Sequence, residues 1–262
     1  MPVDFGTAKP ARAGVQIKRP ESRRSISRSA SRALDILEYF GETRRPARTI
    51  EIARALDMHP STTNQILKTL VESSHLFFDG RGKTYQPSPR LAGFGSWMVD
   101  NYGADLRLGQ VLRDVEAETG TIVTLSAPND LYMQILDLSC PRPGLSSAQR
   151  GMQISLFGTA AIGDAYLSVL PDREVERLAD RARVPRQQLL MVFQKLSRTR
   201  REGFAYGQTE DKDFRSMAVP LPPGRTPIPM VIGIADRPER IDKDRAVLLH
   251  TMQKAIAQWF EA

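Results

Sequence analysis

Cysteine, histidine and long apolar runs are scarce in this chain of 262 residues, and each shortage excludes a class of protein. The single cysteine, Cys140, excludes an intramolecular disulfide framework and any cysteine-based zinc site. No run approaches the roughly 20 consecutive apolar residues that cross a bilayer, so no membrane partner is expected. The N-terminal residues are polar, so a secretory signal is not expected and a cytoplasmic location is predicted.

The three histidines also argue against an enzyme. His59 and His75 fall in the first third of the chain and His250 near its end, which leaves no histidine for a Ser or Cys triad in between. The segment GRGK at 80–83 is too short for a phosphate-binding loop and precedes a strand pattern rather than a helix. We therefore expect no catalytic residue, metal or cofactor; a hydrolase or transferase in the second half is the enzymatic alternative.

The positive charge of the chain, +7 in total, is confined to its first third. Residues 1–90 hold 16 of the 37 Lys and Arg residues but only 9 of the 30 Asp and Glu residues. Because a basic surface releases condensed counterions when it neutralises phosphates, this distribution favours double-stranded DNA as a partner. Residues 1–25 are interpreted as a disordered basic tail rather than an organelle transit peptide, and solubility alone would also explain their charge.

The pattern of residues 26–88 predicts a winged helix-turn-helix. Three helical patterns cover about Ser27–Gly41, Thr49–Leu56 and Pro60–Ser74. Gly41 is expected to stop the first helix, Thr49 to cap the second, and Ile50 to face inward. Two short strands around an Asp-Gly-Arg-Gly turn then form the hairpin, or wing.

The third helix of this unit is expected to present short polar side chains to base edges, while its other face packs on the first two helices. Lysine and arginine at the wing tip and at the start of the second helix would contact phosphates. The candidate DNA contacts are Arg48, Thr49, Ser61, Thr62, Thr63, Gln65, Lys68, Arg81 and Lys83. A winged helix can also bind protein, so a small-molecule sensor with such an interaction module is the alternative.

The rest of the chain predicts a linker helix over 89–104 and an α+β domain over 105–262. Phe94, Trp97 and Met98 make the linker more apolar than a solvated helix needs to be, so it is expected to contribute contacts between protomers. In the domain, hairpins dominate the connections between strands, which predicts a largely antiparallel sheet flanked by helices. Further helices are expected over about 159–170, 172–182 and 185–202, and from Asp242 to the end.

The chain resembles the IclR family of bacterial transcriptional regulators over essentially residues 27–262. The segment SRALDILEYFGE, the run RTIEIARALDMHPSTTNQILKTLVESSHLFFDGRGKTYQPSPRLAGFG, and later TAAIGDAYLSVLP, TRREGFAYGQTED, RSMAVPL and IGIADRPERI carry the resemblance. It implies a GAF-like domain that binds a small-molecule effector and a regulator of a catabolic operon. Since two recognition helices must reach successive major grooves, a homodimer or homotetramer on a roughly palindromic operator is expected.

The resemblance also implies where the effector binds: at the start of one helix and on two late strands. The positions that correspond are Ala161, Ile162, Gly163, Ser216, Met217, Gly233 and Ala235. Family members that sense small carboxylates tend to have hydroxyls at the positions of Gly233 and Ala235 and an acid near Gly207, and this chain does not. A larger or more apolar effector is expected, such as an aromatic or other catabolic acid. Pro60 and Gln65 depart from the basic residues common there, so the operator is expected to differ as well.

Overall fold

A computed structural model describes residues 27–96, 108–142, 145, 148–209, 211–224, 226 and 228–260. The predicted tail at residues 1–25 lies outside the described residues, as do Trp97 and Met98 of the predicted linker. None of the helices in these ranges is long and apolar enough to span a membrane. The chain divides into two compact units, Met1–Ser96 and Trp97–Ala262.

The described part of the first unit begins with three helices and a hairpin. Its elements are α1 (Arg28–Thr43), α2 (Thr49–Ala55), α3 (Pro60–Glu72), β1 (Leu76–Asp79) and β2 (Thr84–Pro87). A 3-10 turn, Pro89–Leu91, follows, and residues 92–96 are helical, which is the described part of the predicted linker helix. The strands pair in antiparallel register from Leu76↔Pro87 to Asp79↔Thr84. Both the helix order and the hairpin agree with the prediction from the sequence.

The first helix runs past the residue that was expected to end it. Gly41 lies inside α1, and the helix ends at Arg44, which has a φ of 50° and donates its backbone N–H to the carbonyl of Phe40. At the other end, the hydroxyl of Ser27 accepts the N–H of Ala30 at 3.4 Å. A non-glycine residue in the left-handed region therefore terminates the helix, and glycine is tolerated within it.

The core of the first unit is built from all three helices and the hairpin. Ile36, Ile52, Leu67 and Leu76 are almost completely buried. Ile50 is 52% exposed, so the prediction that it faces inward is wrong; in a helix of seven residues the inward face is taken by Ile52 and Ala53.

The second unit combines one antiparallel sheet with helices on both of its faces. Its helices are α4 (Leu108–Thr119), α5 (Ala161–Ser168), α6 (Asp172–Arg181), α7 (Arg186–Glu202) and α8 (Pro238–Phe260). Its strands are β3 (Ile122–Asn129), β4 (Tyr132–Ser139), β5 (Gln153–Ser155), β6 (Ala205–Gln208), β7 (Arg215–Pro220) and β8 (Val231–Asp236). The sheet order is β5-β4-β3-β8-β7-β6, with every pair antiparallel. The predicted α+β fold class is confirmed.

Successive side chains of a strand point to opposite faces of the sheet, and here both faces carry a hydrophobic core. On one face, Leu125, Met217 and Ile232 pack against α4 and α8. On the other face, Met133 and Ala218 pack against α5, α6 and α7. The predicted helices are found with shifted ends: α5 is shorter than 159–170, and α8 begins at Pro238 rather than Asp242. The short strand β5 was missed.

Asp164 is a carboxylate buried between α5 and α7, and it makes stability depend on pH. Asp164 is 4% exposed, and Lys195 Nζ lies 3.7 Å from its carboxylate. Burial raises the pKa of this carboxyl, and the opposing effect of Lys195 is smaller. A raised pKa means that folding favours the protonated carboxyl. The contribution of this group to stability is therefore complete below the pKa of an unfolded carboxyl, and it is lost as the pH rises through the higher pKa of the folded state.

We therefore expect Asp164→Asn to stabilise the second unit at neutral pH, by about 1 kcal/mol. The difference from the wild-type chain should shrink as the pH falls, because the wild-type carboxyl then becomes neutral too. Urea unfolding of both chains across acid to neutral pH measures it. A variant that is less stable at neutral pH would show that the Lys195 pair outweighs burial.

Candidate functional site

Helix α3 has one buried and one exposed face. Thr63, Leu67 and Leu70 are buried, whereas Ser61, Gln65 and Lys68 are exposed. Residues three and four positions apart lie on the same side of a helix, so the exposed three form a single stripe. The stripe presents a hydroxyl, an amide and an ammonium group, the types of side chain that contact base edges and phosphates.

The prediction that Thr63 contacts DNA is wrong. Its side chain is completely buried, and its hydroxyl donates to the carbonyl of His59 at 3.1 Å. The hydrogen bond within the helix satisfies the hydroxyl, which lets threonine take a core position. Thr62 is partly exposed and remains a candidate.

His59 caps α3 and was not among the predicted contacts. Its Nδ1 accepts the backbone N–H of Ser61 at 3.3 Å and lies 2.7 Å from Ser61 Oγ. Because Nδ1 is the acceptor, the ring proton is assigned to Nε2. The cap fixes the start of the helix and the orientation of Ser61. Pro60 at the first helical position was the signal in the sequence that the residue before it is the cap.

The wing tip is held by one carboxylate. Asp79 accepts the N–H groups of Arg81 at 3.0 Å and Gly82 at 2.9 Å, while the side chains of Arg81 and Lys83 are exposed. This Asx turn, in which a side chain folds the backbone, shapes the loop between β1 and β2. It places two cations next to each other on a fixed turn.

Removing the carboxylate in Asp79→Ala should loosen this turn. We expect the amide hydrogens of Arg81 and Gly82 to exchange several-fold faster, with the free energy of unfolding lowered by no more than about 1 kcal/mol. Hydrogen exchange followed by NMR measures the exchange rates of these two amides and, from the most protected amides, the free energy of unfolding. Asp79→Asn keeps a side-chain oxygen and serves as the control. Equal exchange rates in the Ala variant and the wild type would mean that the backbone alone holds the turn.

The start of α2 lies next to the second strand of the wing. Ala47 and Tyr85 exchange two backbone hydrogen bonds, of 3.0 and 2.8 Å, which joins the residue before Arg48 to β2. Thr49 is the first residue of α2 rather than its cap, so that prediction is wrong. The cap position is Arg48, whose backbone N–H is accepted by the carboxylate of Glu51 at 2.8 Å.

Among the described residues of this region, several cations form no ion pair, although the charge of Arg48 also lowers the pKa of Glu51. The backbone N–H of Arg48, and then Arg45 at 2.9 Å, hold the pKa of Glu51 below its usual range, so this carboxylate stays charged. In the part of the chain that the structure describes, the predicted phosphate contacts form no ion pair: Arg48, Lys68, Arg81 and Lys83. Their charges are therefore available to an external anion.

The second unit contains a cavity, open to solvent, between the sheet and the start of α5. Most of its lining is apolar, with four polar side chains. The described lining residues are Ile122, Thr124, Ile135, Ala148, Met152, Ile154, Ala160, Ile162, Thr209, Asp211, Phe214, Ser216, Gly233, Ile234 and Ala235.

Four of the predicted effector contacts line this cavity, namely Ile162, Ser216, Gly233 and Ala235. Met217 does not: it follows Ser216 on β7, so its side chain enters the core on the opposite face of the sheet. For Met217 the prediction of a side-chain contact is wrong.

Ala161 and Gly163 at the start of α5 also lie outside the lining. The backbone N–H of Ala161 donates to Ser216 Oγ at 3.2 Å, so this donor is already used within the protein. Gly163 faces the backbone of Leu156, where a Cβ would lie 2.6 Å from the carbonyl oxygen. Both residues contribute to packing, and their contact with an effector stays a prediction.

Several lining residues were not predicted from the sequence, among them Thr124, Asp211 and Phe214. Phe214 stands two positions before Ser216, and side chains two positions apart lie on the same side of an extended chain. This spacing could have predicted that Phe214 lines the cavity together with Ser216. Asp211 lies in a loop, where no periodicity marks it. Among the described residues, no group of three or more His, Cys, Asp or Glu side chains could hold a metal ion.

Comparisons with known proteins agree for both units. Residues 29–76 match the family described as the IclR helix-turn-helix domain, and residues 104–260 match the bacterial transcriptional regulator IclR C-terminal domain. No curated protein matches the chain at a significant level.

Solved structures similar to this chain share its fold at low sequence identity. An IclR family transcriptional regulator from Brucella abortus is 19% identical with a TM-score of 0.51, covering 90% of this chain and 92% of that one. For the IclR transcriptional regulator of Alicyclobacillus acidocaldarius the identity is 20%, the TM-score 0.51 and the coverages 89% and 99%. The Thermotoga maritima IclR is 18% identical with a TM-score of 0.53, covering 88% of this chain and 98% of that one.

Proposed function

Because this chain belongs to the IclR family of bacterial transcriptional regulators, we propose that it binds operator DNA through α3 and the wing and responds to a small molecule. The family consists of regulators, not enzymes. The exposed stripe of Ser61, Gln65 and Lys68 carries the proposal, because it is polar, uncovered and opposite the buried face of α3.

The phosphate contacts in this proposal come from the cations around that stripe. At the start of α2, Arg48 is exposed and Thr49 partly exposed, so both side chains can reach a phosphate. Arg81 and Lys83 reach the backbone from the wing. Ser61, Thr62 and Gln65 then read base edges, and Lys68 neutralises a phosphate.

We further propose that the chain works as a homodimer or homotetramer on a roughly palindromic operator. Two copies of α3 in successive major grooves bind far more tightly than one. Leu34 on α1 and Phe94 are 54% and 59% exposed, and such apolar side chains are suited to contacts between protomers. The target is proposed to be a catabolic operon.

The sensing half of the proposal rests on the cavity in the second unit. An apolar, concave site with a few polar side chains is typical of a pocket for a small organic molecule. Occupancy of the cavity is proposed to change the affinity for the operator by stabilising one state of the regulator over another.

Retardation of DNA from upstream of the chain's own gene tests the DNA-binding half. We expect retention that persists with unrelated competitor DNA and weakens steeply as salt rises, because released counterions contribute to binding. Retention that is independent of sequence or salt would contradict the proposal and favour a protein-interaction role for the winged helix.

A further inference from the structure

The hydroxyls on the cavity lining already have backbone carbonyls as partners for their protons. Each described hydroxyl on the lining already donates to a backbone carbonyl, which has no proton of its own. The pairs are Thr124 Oγ1 with Gly233 O at 3.4 Å, Ser216 Oγ with Gly207 O at 3.3 Å, and Thr209 Oγ1 with Asp211 O at 2.5 Å. A ligand acceptor must therefore compete with a backbone carbonyl for each of these protons, whereas a ligand donor finds oxygen lone pairs.

The backbone donor at the start of α5 is also occupied. The N–H of Ala161 would suit a carboxylate, as at many helix N-termini, but it donates to Ser216 Oγ at 3.2 Å. To bind there, a ligand carboxylate would have to break the bond that joins β7 to α5.

The one charged side chain on the described lining is an acid. Asp211 is partly exposed at the cavity, and its Oδ1 accepts the backbone N–H of Asp213 at 3.1 Å, which fixes the carboxylate. None of the described lining residues is Lys, Arg or His. A ligand carboxylate would thus be desolvated beside a like charge with no cation to compensate it.

From these three observations we propose that the cavity takes an apolar molecule whose polar end is a hydrogen-bond donor, an amine or a hydroxyl, and not a carboxylate. The polar end lies at Asp211 and the apolar body lies against Ile122, Ile162 and Phe214. This inference rests on the proposed sensing function and names its ligand class. It differs from the aromatic acid expected from the sequence, and the two can be separated by experiment.

Calorimetric titration of the full chain with matched compounds tests the proposal. The probes are 2-phenylethylamine, 2-phenylethanol and phenylacetate, and the larger set tryptamine, tryptophol and indole-3-acetate. We expect the amine or the alcohol of at least one set to bind about tenfold or more tightly than its carboxylate, the scale of one hydrogen bond to a charged group.

Two variants connect this preference to the cavity. Asp211→Asn keeps an oxygen for the N–H of Asp213 but removes the charge, so in this variant the amine should bind no more tightly than the alcohol. Asp213→Asn is the matched control: this exposed acid does not line the cavity, and its replacement should leave the ranking unchanged. Rescue of carboxylate binding in Asp211→Asn would be additional support.

Tighter binding of the carboxylate in either set would overturn the proposal, as would the absence of binding by every probe at millimolar concentration. An amine advantage that survives Asp211→Asn would overturn the role of Asp211. Retardation of DNA by the same preparations without ligand distinguishes these outcomes from a failure of the proposed function: the regulator then still binds DNA, and only the ligand class is wrong.

Discussion

The Gln65→Ala variant is expected to bind its operator more weakly and to distinguish it less well from related sequences. An amide that pairs with a base edge contributes about 1–3 kcal/mol of discrimination, and a dimer loses this contribution in both half-sites. Non-specific binding should change little, because phosphate contacts dominate it. Fluorescence anisotropy with the operator and with a scrambled duplex measures both affinities.

Lys68→Ala should have a different signature on the same stripe. It removes a phosphate contact, so all sequences should bind more weakly by a similar factor, and the slope of log K against log salt should fall by about one per contact. Gln187→Ala and Lys212→Ala replace exposed side chains of the same types in the second unit and serve as controls. If both stripe variants bind like these controls, the assignment of α3 is wrong.

Replacing Gly207 by alanine is expected to cause the largest loss of stability in the second unit. A Cβ at this position would lie 2.3 Å from the carbonyl oxygen of Thr159 and 3.0 Å from the nitrogen of Ala161, so β6 and the start of α5 would have to separate. Both neighbours are backbone atoms, which cannot rotate away. We expect a cost of about 3 kcal/mol, the upper end for overpacking.

Urea unfolding followed by circular dichroism measures this cost. Gly109→Ala is the matched control, because the added methyl meets side chains at 3.4 Å or more and lies in helix α4, where alanine is favoured. The control should be neutral or slightly stabilising. Equal stability of Gly207→Ala and the wild type would show that the helix start is mobile enough to yield.

Much of the fold could be predicted because its signals are periodic. Helical spacing of apolar residues locates α1, α2 and α3, and the Asp-Gly-Arg-Gly turn locates the hairpin. The ends of the helices were less predictable. Gly41 is a usual stop signal, but α1 continues to Thr43 because the chain turns at Arg44 instead. Ile50 is hydrophobic but exposed, because hydrophobicity alone does not decide which way a side chain faces in a helix of two turns.

The candidate sites were predictable to different degrees. The exposed stripe of α3 follows from the spacing of Ser61, Gln65 and Lys68. Thr63 was wrongly predicted to contact DNA, because its hydroxyl forms a hydrogen bond within its own helix. In the cavity, Ser216 and Met217 are neighbours on one strand and could not both face it. Asp211 and the occupied N–H of Ala161 depend on tertiary contacts, which no local pattern encodes.

Selection of duplexes from a random DNA pool by the full chain tests most directly whether α3 reads DNA sequence. The account predicts enrichment of a site with two inverted half-sites whose centres are roughly 10 base pairs or a multiple apart. It also predicts that Gln65→Ala loses the preference at particular positions within each half-site. A pool that is no more enriched than with unrelated protein, or an identical site selected by Gln65→Ala, would contradict it.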